Sequence, residues 1–594
     1  MPRPRHGRLT AAFGLSLGLP LVVLTAASVA IGAGALTSCA DAGVGVPPPN
    51  DRLFFPSGLL LDPRPSAITS VDGTQTWPAP PRWLFVANAN SDLVFNGASV
   101  TAIDLDAFFS AWQKSPILST QASVDDAPPS TKGARRDDIL DIYTEVNDGQ
   151  PCRRNGITPQ LVECTEESFM AAGETVHVGS FTTGLQAYQG ASGGWRLMVP
   201  VRADPSIALI DLGGGLESGD PLRLSCGVDG EARDPRRCSK DQRIRHLRNN
   251  DDYRIIGREP TNMLMTRVSE PDGQGGDNVT DLAFVTHTEV PEVTLVGLGG
   301  LYGEGNRGEP AIIDIQPLFS DQIYIGGYGL AERPCTPGGD VSLCATDRDT
   351  CTAEGRPEAV CNSEYVACVD GNEPSLTSGC SRPLVYAAHR KTEFILRMTV
   401  ERVNADGQFK CVTAEELEAG VAGGVLCEHR LVAIDQFVAA GIDSATDAAG
   451  GFGDIAFSRD GDSLYVVRNS IGNLIRIDTS LDERGETRDT VAAQVEVCAR
   501  PSEMVVFGDG GNEYAAISCY SPGTVFFVDL NAFRVIEQVF VGSGPHQMSY
   551  DEARQYLYVA NTLDSTISVV DLAVSRSTRF TEVARIGLQE PYSG

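Results

Sequence analysis

The stretch YLYVANTLDSTISVVDLA, residues 556–573, contains two short runs of β-branched and aromatic residues separated by a polar turn. Such runs, bounded by Asp, Asn, Ser and Thr, are typical of paired β-strands. The preceding residues, VIEQVFVGSGPHQMSYDEARQ, add two more runs around a tight loop. The stretch WLFVANANSDLVFNGASVTAIDL, residues 83–105, repeats the pattern near the other end of the chain. The repeating unit is therefore four strands long.

Working outward from this unit, the same order of strands occurs seven times. The units begin near residues 55, 180, 258, 326, 450, 499 and 543. Their second strands read WLFVAN, RLMVPV, LAFVTH, LVYAAH, SLYVVR, EYAAIS and YLYVAN. Their third strands end in AIDL, LIDL, LVGL, RMTV, RIDT, FVDL and VVDL, five of them with an Asp.

A four-stranded sheet alone exposes two apolar faces, which radial packing of several sheets buries. The repeats therefore predict an all-β fold: a seven-bladed β-propeller of four-stranded antiparallel blades, with disulfide-containing loop insertions, over residues 53–594. The 62 Gly and 35 Pro favour many turns, as this fold requires. Six or eight blades are the alternatives.

The repeats resemble the YVTN family of bacterial β-propellers, whose unit follows the pattern YVAN…TISVID…VG..P. Units seven, six and five match it well, unit one matches in its core, and units two to four are degenerate. The resemblance implies the propeller fold over most of residues 53–590. It implies little about activity, because propellers carry many functions.

The N-terminus has the features of an export signal. Arg3, Arg5 and Arg8 precede a long apolar stretch without acidic residues. That stretch ends in Leu-Thr-Ser-Cys, which resembles the bacterial lipobox. We therefore expect residues 1–38 to be a signal peptide and residues 39–52 to be a linker that begins with a lipidated Cys39. An uncleaved transmembrane helix is the alternative. Ala40 is not the Asp that commonly marks inner-membrane retention, which favours the outer membrane.

The number of cysteines agrees with export. The chain has 15, and assigning Cys39 to the lipid leaves 14, an even number suited to disulfides in an oxidising compartment. The spacing leaves the connectivity open. The candidates are Cys152, Cys164, Cys226, Cys238, Cys335, Cys344, Cys351, Cys361, Cys368, Cys380, Cys411, Cys427, Cys498 and Cys519.

The charge excludes a nucleic-acid partner. Removal of residues 1–38 takes the formal net charge from −31 to −34, whereas phosphate binding requires a basic face. The basic segment 233–248 is the exception. It has two interpretations, a site for lipid headgroups or a polyanion, and a solvated loop that balances nearby acids, and we favour the second.

The long insertions predict two unlike faces. We define the insertion face as the one where strand one connects to strand two and strand three to strand four, and the turn face as its opposite. The longest connections, at 62–82, 106–173, 213–250, 270–281, 333–382 and 400–430, all belong to the insertion face. The Cys-rich insert 333–382 is too polar to form a core of its own, so disulfides are expected to hold it.

Familiar catalytic signatures are missing or misplaced. GLSLG at 14–18 lies within the export signal, and GEGNRG at 303–308 precedes a strand-like run instead of a phosphate-binding helix. The six cysteines of the insert include no C-x-x-C pair, so disulfides are favoured over zinc. Asp460 and Asp462 are explained better by a hairpin turn than by calcium. We expect no cofactor and no metal.

The polar residues at the end of the second strands are the best candidates for a ligand site. Together with a histidine that begins the last inner strand, they form a possible ligand ring on the turn face: Asn88, His287, His389, Arg468, Asn561 and His546. The alternative, which we favour, is that this position caps the turn between strands two and three.

These features predict a lipid-anchored cell-envelope propeller that binds a protein or a glycan. The alternative is an envelope enzyme, a lactonase-like hydrolase or a metal or redox protein, that uses the mouth of the propeller channel. The expected partners are the membrane, through the N-terminal lipid, and another envelope protein or glycan. The sequence favours a non-enzymatic role because no catalytic set is recognisable.

Overall fold

The structure, a computed structural model, describes residues 45–588 with internal gaps, and from Pro47 onward they belong to one compact unit. The gaps are residues 66, 70–75, 115–149, 156–157, 159, 191–192, 217–219, 228–233, 247–254, 272–276, 299–309, 319–325, 335–381, 404–409, 413–423, 427, 440–450, 470, 483–485 and 510.

The described residues of the first half of the chain form seventeen strands and one α-helix. In order they are β1 (Pro56–Leu61), β2 (Ala67–Thr69), β3 (Thr76–Pro78), β4 (Trp83–Asn88), β5 (Ala98–Asp104), α1 (Leu105–Lys114), β6 (Cys152–Arg154), β7 (Val162–Cys164), β8 (Val176–Val178), β9 (Gln186–Gln189), β10 (Trp195–Val201), β11 (Ser206–Gly213), β12 (Arg223–Ser225), β13 (Arg243–Ile244), β14 (Pro260–Pro271), β15 (Asp277–His287), β16 (Val293–Gly297) and β17 (Ala311–Gln316).

The second half contains only strands among its described residues. They are β18 (Gly327–Glu332), β19 (Val385–His389), β20 (Phe394–Val403), β21 (Lys410–Val412), β22 (Gly424–Leu426), β23 (Glu428–Val438), β24 (Phe452–Phe457), β25 (Ser463–Arg468), β26 (Asn473–Asp478), β27 (Thr490–Glu496), β28 (Pro501–Asp509), β29 (Asn512–Cys519), β30 (Thr524–Asp529), β31 (Arg534–Phe540), β32 (Pro545–Asp551), β33 (Tyr556–Asn561), β34 (Thr566–Asp571) and β35 (Thr581–Ile586).

Seven sheets with antiparallel neighbours form the blades, which confirms the predicted fold. From the inner to the outer strand they are β1-β4-β5-β8, β9-β10-β11-β12, β14-β15-β16-β17, β18-β19-β20-β23, β24-β25-β26-β27, β28-β29-β30-β31 and β32-β33-β34-β35. In blade 2 the short β13 also pairs with β11, so the outer strand consists of two pieces.

Apolar residues between adjacent blades close the ring. Seven separate clusters of buried side chains occupy the seven blade interfaces, including the one between blades 7 and 1. The second strands are buried almost completely because both of their faces contact a neighbouring blade; every residue of Trp83–Asn88 is buried. Each fully buried Phe or Leu contributes about 1.5–3 kcal/mol, so these continuous apolar runs hold the blades together.

The inner strands share an irregularity near the turn face. Six of them shift register against the second strand within their first four residues, as at Pro501 to Met504. These bulges bring the backbones of neighbouring blades close together. A Cβ atom on Gly329 would lie 2.7 Å from the carbonyl oxygen of Gly453 in the next blade. Glycine is therefore required where two bulges meet.

A hairpin from blade 1 covers the edge of blade 7. Strands β6 and β7 belong to the connection between β5 and β8, and β7 pairs in parallel with β35, the outer strand of blade 7. The disulfide Cys152–Cys164 joins the two strands of this hairpin. Blade 7 takes its four core strands from one continuous segment of the chain, so this hairpin is an added closure of the ring.

The connections differ in length between the two faces. The turns from strand two to strand three are short in every blade, whereas the insertion-face connections carry β2 and β3, α1, β21 and β22. In α1 the Asp104 carboxylate accepts a hydrogen bond from Ala107 N at 2.9 Å, and Phe108 and Trp112 pack on the core.

Two further disulfides are present, Cys226–Cys238 and Cys498–Cys519. The three pairs confirm six of the candidate cysteines. Six others, Cys335, Cys344, Cys351, Cys361, Cys368 and Cys380, lie outside the described residues, as do Cys39, Cys427 and the side chain of Cys411. Among the described helices, none is long and apolar enough to cross a membrane.

Candidate functional site

Five of the six candidate ring residues occupy the same place in five blades. Asn88, His287, His389, Arg468 and Asn561 each end the second strand, and all five are buried. The position lies one strand outward from the inner strand. The hydrogen bonds of these side chains show whether they face a shared ligand or satisfy polar groups of the propeller itself.

The two asparagines bond to the third strand of their own blade. Asn88 Nδ2 donates to Ser99 Oγ at 3.0 Å, and Asn561 Nδ2 donates to Ser568 Oγ at 2.8 Å. Asn561 also donates to Thr566 Oγ1 at 3.0 Å. These bonds tie together the ends of strands two and three, as the capping alternative expects.

His287 has the same arrangement with a ring in place of an amide. Nδ1 donates to the carbonyl oxygen of Arg258 at 3.2 Å, so Nε2 accepts from Thr294 Oγ1 at 2.9 Å. The imidazole has no exposed surface, and its burial lowers the pKa of His287 to about 4. The ring is neutral at neutral pH and is enclosed by its own blade.

His389 and Arg468 are also held locally. His389 Nδ1 accepts from the backbone N–H groups of Lys391, at 3.2 Å, and Thr392, at 3.0 Å, which places the proton of the neutral ring on Nε2. The Arg468 guanidinium forms an ion pair with Glu393 in the turn of blade 4. Four of the strand-two residues thus bond near their own turns, Arg468 pairs with the turn of the preceding blade, and the structure does not gather the five around a common point.

His546 lies in a different layer, on the inner strand of blade 7. Its Nδ1 is 4.0 Å from Glu503 Oε1 on the inner strand of blade 6. The same carboxylate accepts a hydrogen bond from the hydroxyl of Tyr328, which is on blade 4. The carboxyl group of Asp454 in blade 5 interacts electrostatically with both Tyr328 and Glu503. We call these four residues the channel cluster.

The bulges explain why the channel cluster forms. Asp454, Glu503 and Gln547 hold equivalent positions in three consecutive inner strands, where blade 4 has Gly329. Tyr328 and His546 hold the preceding position, where blade 5 has Gly453. Because blade 5 has no side chain there, Tyr328 reaches across it to Glu503.

The electrostatics of the cluster favour the protonated forms of the Asp454 carboxyl and the Tyr328 hydroxyl. Burial, followed by the charge of Glu503, raises the pKa of the Asp454 carboxyl well above its usual range. Burial also raises the pKa of Tyr328, and the Glu503 charge adds to that shift. Asp454 accepts hydrogen bonds from the N–H groups of Ile455 at 2.9 Å and Met504 at 3.2 Å. The cluster therefore offers proton donors and acceptors side by side.

Sequence analysis identified His546 alone among these four residues. The signal for two of the others was present, because Asp454 and Glu503 take the same position in the inner-strand segments GGFGDIAFS and ARPSEMVVF. Tyr328 matches His546 only when GGYGLAERP is shifted by one residue, which follows from the strand pairing of the structure. In the described part of the chain, no three His, Cys, Asp or Glu side chains come close enough to form a metal site.

Residues of the basic segment 233–248 form contacts within the propeller. Arg243 and Arg245 both pair with Asp204, at 3.2 and 3.3 Å. Arg236 donates to the carbonyl oxygens of Gly173 and Thr175 at 3.1 and 3.2 Å. These contacts direct the three guanidinium groups toward acids and carbonyls of blades 1 and 2.

A buried polar triad holds the end of the linker. Nδ1 of His177 contacts Oδ1 of Asp234 at 2.8 Å, and its Nε2 contacts Oδ1 of Asn50 at 2.9 Å. Burial lowers the pKa of His177, whereas its hydrogen bond with Asp234 opposes that shift. Asn50 also accepts a hydrogen bond from Thr175 through its backbone oxygen, at 3.0 Å. Sequence reasoning missed this triad because His177 lies in an outer strand, where the repeat is weakest.

A cavity of about 470 Å³ opens on the insertion face between blades 7 and 1. Its walls are Leu61–Pro63, Pro81 and Tyr550–Ala553. Two of its acids are neutralised, since Asp62 pairs with Arg64 at 2.7 Å and Asp551 with Arg554 at 2.9 Å.

Comparison with known proteins finds only distant structural matches. No protein-family model matches the chain, and no curated protein matches it. Among the solved structures that match, the periplasmic gluconolactonase PpgL of Pseudomonas aeruginosa has 14% identity and a TM-score of 0.35, covering 81% of this chain and 86% of that one. A putative 6-phosphogluconolactonase of Bacteroides fragilis has 11% identity and a TM-score of 0.35, covering 67% and 85%. Apo AztD of Citrobacter koseri has 11% identity and a TM-score of 0.30, covering 91% and 94%. At these identities and TM-scores, none of them informs the function.

Proposed function

We propose that this protein is a lipid-anchored β-propeller of the cell envelope that binds another envelope protein or a glycan through its insertion face. The observation that carries the proposal is the asymmetry of the two faces. The long connections with secondary structure of their own, including the β2–β3 hairpin, α1 and β21–β22, all leave the blades on that face. Loops carried by a rigid scaffold are the usual place for recognition.

The location in the envelope follows from the N-terminus. The lipobox-like Leu-Thr-Ser-Cys places the lipid on Cys39, and Asn50 is already bound to the propeller through His177. Ten residues, 40–49, then separate lipid from propeller, a distance of at most about 40 Å at full extension. The three disulfides are consistent with an oxidising compartment outside the cytoplasm.

The test uses the distribution of lysines. The chain has five. Lys114, at the end of α1, and Lys410, in β21, lie in insertion-face connections, whereas Lys240 lies between the two pieces of the outer strand of blade 2 and Lys391 lies in a turn of the turn face. The tagged lipoprotein is treated with an amine-reactive crosslinker in intact envelopes, purified and analysed by mass spectrometry. We expect links from Lys114 or Lys410 to one recurring protein and no links to it from Lys391. A glycan partner is tested by co-sedimentation with isolated envelope polysaccharide.

The opposite pattern, with links from Lys391 alone, contradicts binding through the insertion face. A protein that lacks both a crosslinked partner and affinity for polysaccharide contradicts the binding role. Recovery of known envelope complexes from the same preparation serves as the positive control.

The channel cluster favours a second candidate, an envelope hydrolase. It combines carboxyl groups, a phenol and an imidazole in a half-buried site, which is the composition that acid and base catalysis uses. If no partner is found, purified protein is assayed on simple lactones. Glu503→Gln should then abolish the activity, and Glu552→Gln, at the rim of the insertion-face cavity, should retain it.

A further inference from the structure

Exposed apolar side chains are concentrated on the turn face. The described residues include nine large hydrophobic side chains that are exposed, and six of them lie at this end of the blades. Single exposed hydrophobic residues are common and need no explanation. The concentration of six exposed hydrophobic side chains on the turn face, in contrast, requires an explanation.

Five of the six belong to consecutive blades. Leu93 and Val94 are in the turn between strands two and three of blade 1, Ile471 and Leu563 are in the same turns of blades 5 and 7, and Phe540 ends the outer strand of blade 6. Their exposed fractions run from 47% to 70%. We call this set the apolar arc. The sixth residue, Ile255, lies in the connection from blade 2 to blade 3.

The other half of the turn face is charged. The corresponding turns of blades 2, 3 and 4 contain, respectively, Asp204, Glu289 and the pair Arg390 and Lys391, and they carry no exposed aliphatic tip. Acids within the apolar half satisfy backbone groups of the turns. Asp92 accepts a hydrogen bond from Val94 N at 3.2 Å, and Asp564 accepts one from Ser543 N at 2.5 Å. The turn face is therefore amphipathic from one side to the other.

The chain enters the propeller in the middle of this arc. The ring of Phe54 packs edge-on against Phe95 with centroids 5.1 Å apart, and Phe95 is in the turn that presents Leu93 and Val94. Phe55 N donates to Ser565 Oγ at 3.1 Å, in the turn that presents Leu563. The segment that leads from the lipid thus crosses the turn face between two of its apolar tips.

We propose that the apolar arc rests on the lipid bilayer that holds the anchor, with the tips of blades 5, 6, 7 and 1 in the headgroup region. The inference depends on the lipid anchor of the proposed function. Three observations converge on it: the tips are apolar, the tether of ten residues is short, and the chain enters between the tips. The net charge of the mature chain opposes electrostatic attraction to anionic lipids, so the contact is hydrophobic.

This orientation turns the insertion face away from the membrane. The binding loops then point into the aqueous compartment, where a partner reaches them without competing with lipid. The same rigid ring thereby serves the bilayer on one side and a partner on the other.

The test uses tryptophan quenching by brominated lipid. All four native tryptophans, at positions 77, 83, 112 and 195, lie in insertion-face connections or at the insertion-face ends of second strands, so they provide an internal background that should not change. Lipidated full-length protein is reconstituted into phosphatidylethanolamine and phosphatidylglycerol vesicles with and without brominated acyl chains. We expect quenching of the added fluorescence in Leu563→Trp and none in wild type.

Val574→Trp is the matched control. Val574 has the same 54% exposure as Leu563 and lies in the same blade, but on the insertion face. Quenching of Val574→Trp and not of Leu563→Trp would overturn the proposed orientation, as would the absence of quenching in both. Quenching should persist in 0.5 M salt, because the contact is hydrophobic; its loss would also contradict the proposal.

Flotation separates this proposal from the one on which it rests. Protein that fails to float with vesicles contradicts the lipid anchor. Protein that floats while Leu563→Trp stays unquenched contradicts the orientation alone. If Leu563→Trp is shielded from aqueous quenchers in whole envelopes but unquenched in vesicles, the arc is a protein interface and the bilayer proposal fails.

Discussion

At the scale of single residues, a position that recurs in several blades indicates a structural role more reliably than a functional one. The end of strand two carries Asn, His or Arg in five blades; the Asn and His side chains bond to polar groups near their own turns, and Arg468 pairs with Glu393 in the turn of the preceding blade. A buried histidine in such a place is neutral because burial penalises its charged form. His287 therefore links the stability of the propeller to pH.

The first prediction concerns this linkage. The folded-state pKa of His287 is about 4, below the value near 6.5 of an unfolded chain. Between these values the unfolded state binds more protons, so the contribution of His287 is complete above pH 6.5 and declines as the pH falls toward 4. Acidification from pH 7 to pH 4.5 should cost wild type about 2–3 kcal/mol through this residue.

His287→Asn should remove that part of the loss, because asparagine occupies the same position in blades 1 and 7. The measurement is the urea midpoint of each protein at both pH values. Thr286→Ser, which changes a buried and non-titrating side chain of the same strand, is the control and should keep the wild-type slope. Identical slopes for wild type and His287→Asn would refute the assignment.

At the scale of elements, the β-bulges of the inner strands determine what the channel contains. A bulge gives one strand an extra residue and redirects the side chains around it. At six of the seven inner strands this occurs in the same place, so residues far apart in sequence come together there. Where the neighbouring bulges touch through backbone alone, as at Gly329 and Gly453, any side chain would separate the blades.

Gly329→Ala should consequently destabilise the protein by about 1–3 kcal/mol. Its Cβ would lie 2.7 Å from the oxygen of Gly453 and 2.8 Å from the nitrogen of Ile455. These are backbone atoms of a packed ring, so they move little to relieve the clash. Gly173→Ala is the comparison, since a Cβ there meets nothing within 4 Å, and it should stay within about 0.5 kcal/mol of wild type. Thermal unfolding of the three proteins decides the matter; equal stability of both variants would contradict the close approach.

The strands and blades were predictable from the sequence, whereas the channel cluster was not. The strands and the seven blades were predictable because period-two runs and turns recur in every unit, and this information is local. The channel cluster was not predicted, because its members come from blades 4 to 7 and meet only after the ring closes and the bulges form. Residues such as Tyr328 and Glu503 look like ordinary strand residues until the columns of different blades are placed around one axis.

At the scale of the whole molecule, the seam between blades 7 and 1 is where the ends of the chain meet. Neither of these two blades takes a core strand from the other, so hydrogen bonds and side-chain packing hold the seam together. Gln547 Oε1 accepts from Leu59 N at 2.7 Å, Thr562 Oγ1 donates to the Pro56 oxygen at 2.8 Å, and Arg554 binds the Pro81 oxygen at 2.7 Å. The β7–β35 pairing adds to these contacts at the outer edge.

Gln547→Ala should loosen this seam. The buried N–H group of Leu59 would lose its acceptor, at a cost of about 1–3 kcal/mol. Hydrogen exchange followed by mass spectrometry should show faster exchange in residues 56–61 and 545–551, with blades 3 and 4 unaffected. Gln538→Ala on the outer strand of blade 6, an exposed side chain, should change neither region. Uniform acceleration across all blades would show that the seam is not a separate point of weakness.

The parallel pairing of β7 with β35 has a consequence for the order of folding during synthesis. The hairpin of residues 152–164 is synthesised more than 400 residues before Ala584–Ile586, the strand segment that it covers. Its Cys152–Cys164 disulfide joins two neighbouring strands and involves no other part of the propeller. The edge that the hairpin offers to β35 therefore stays unpaired until the last strand of the propeller has been made.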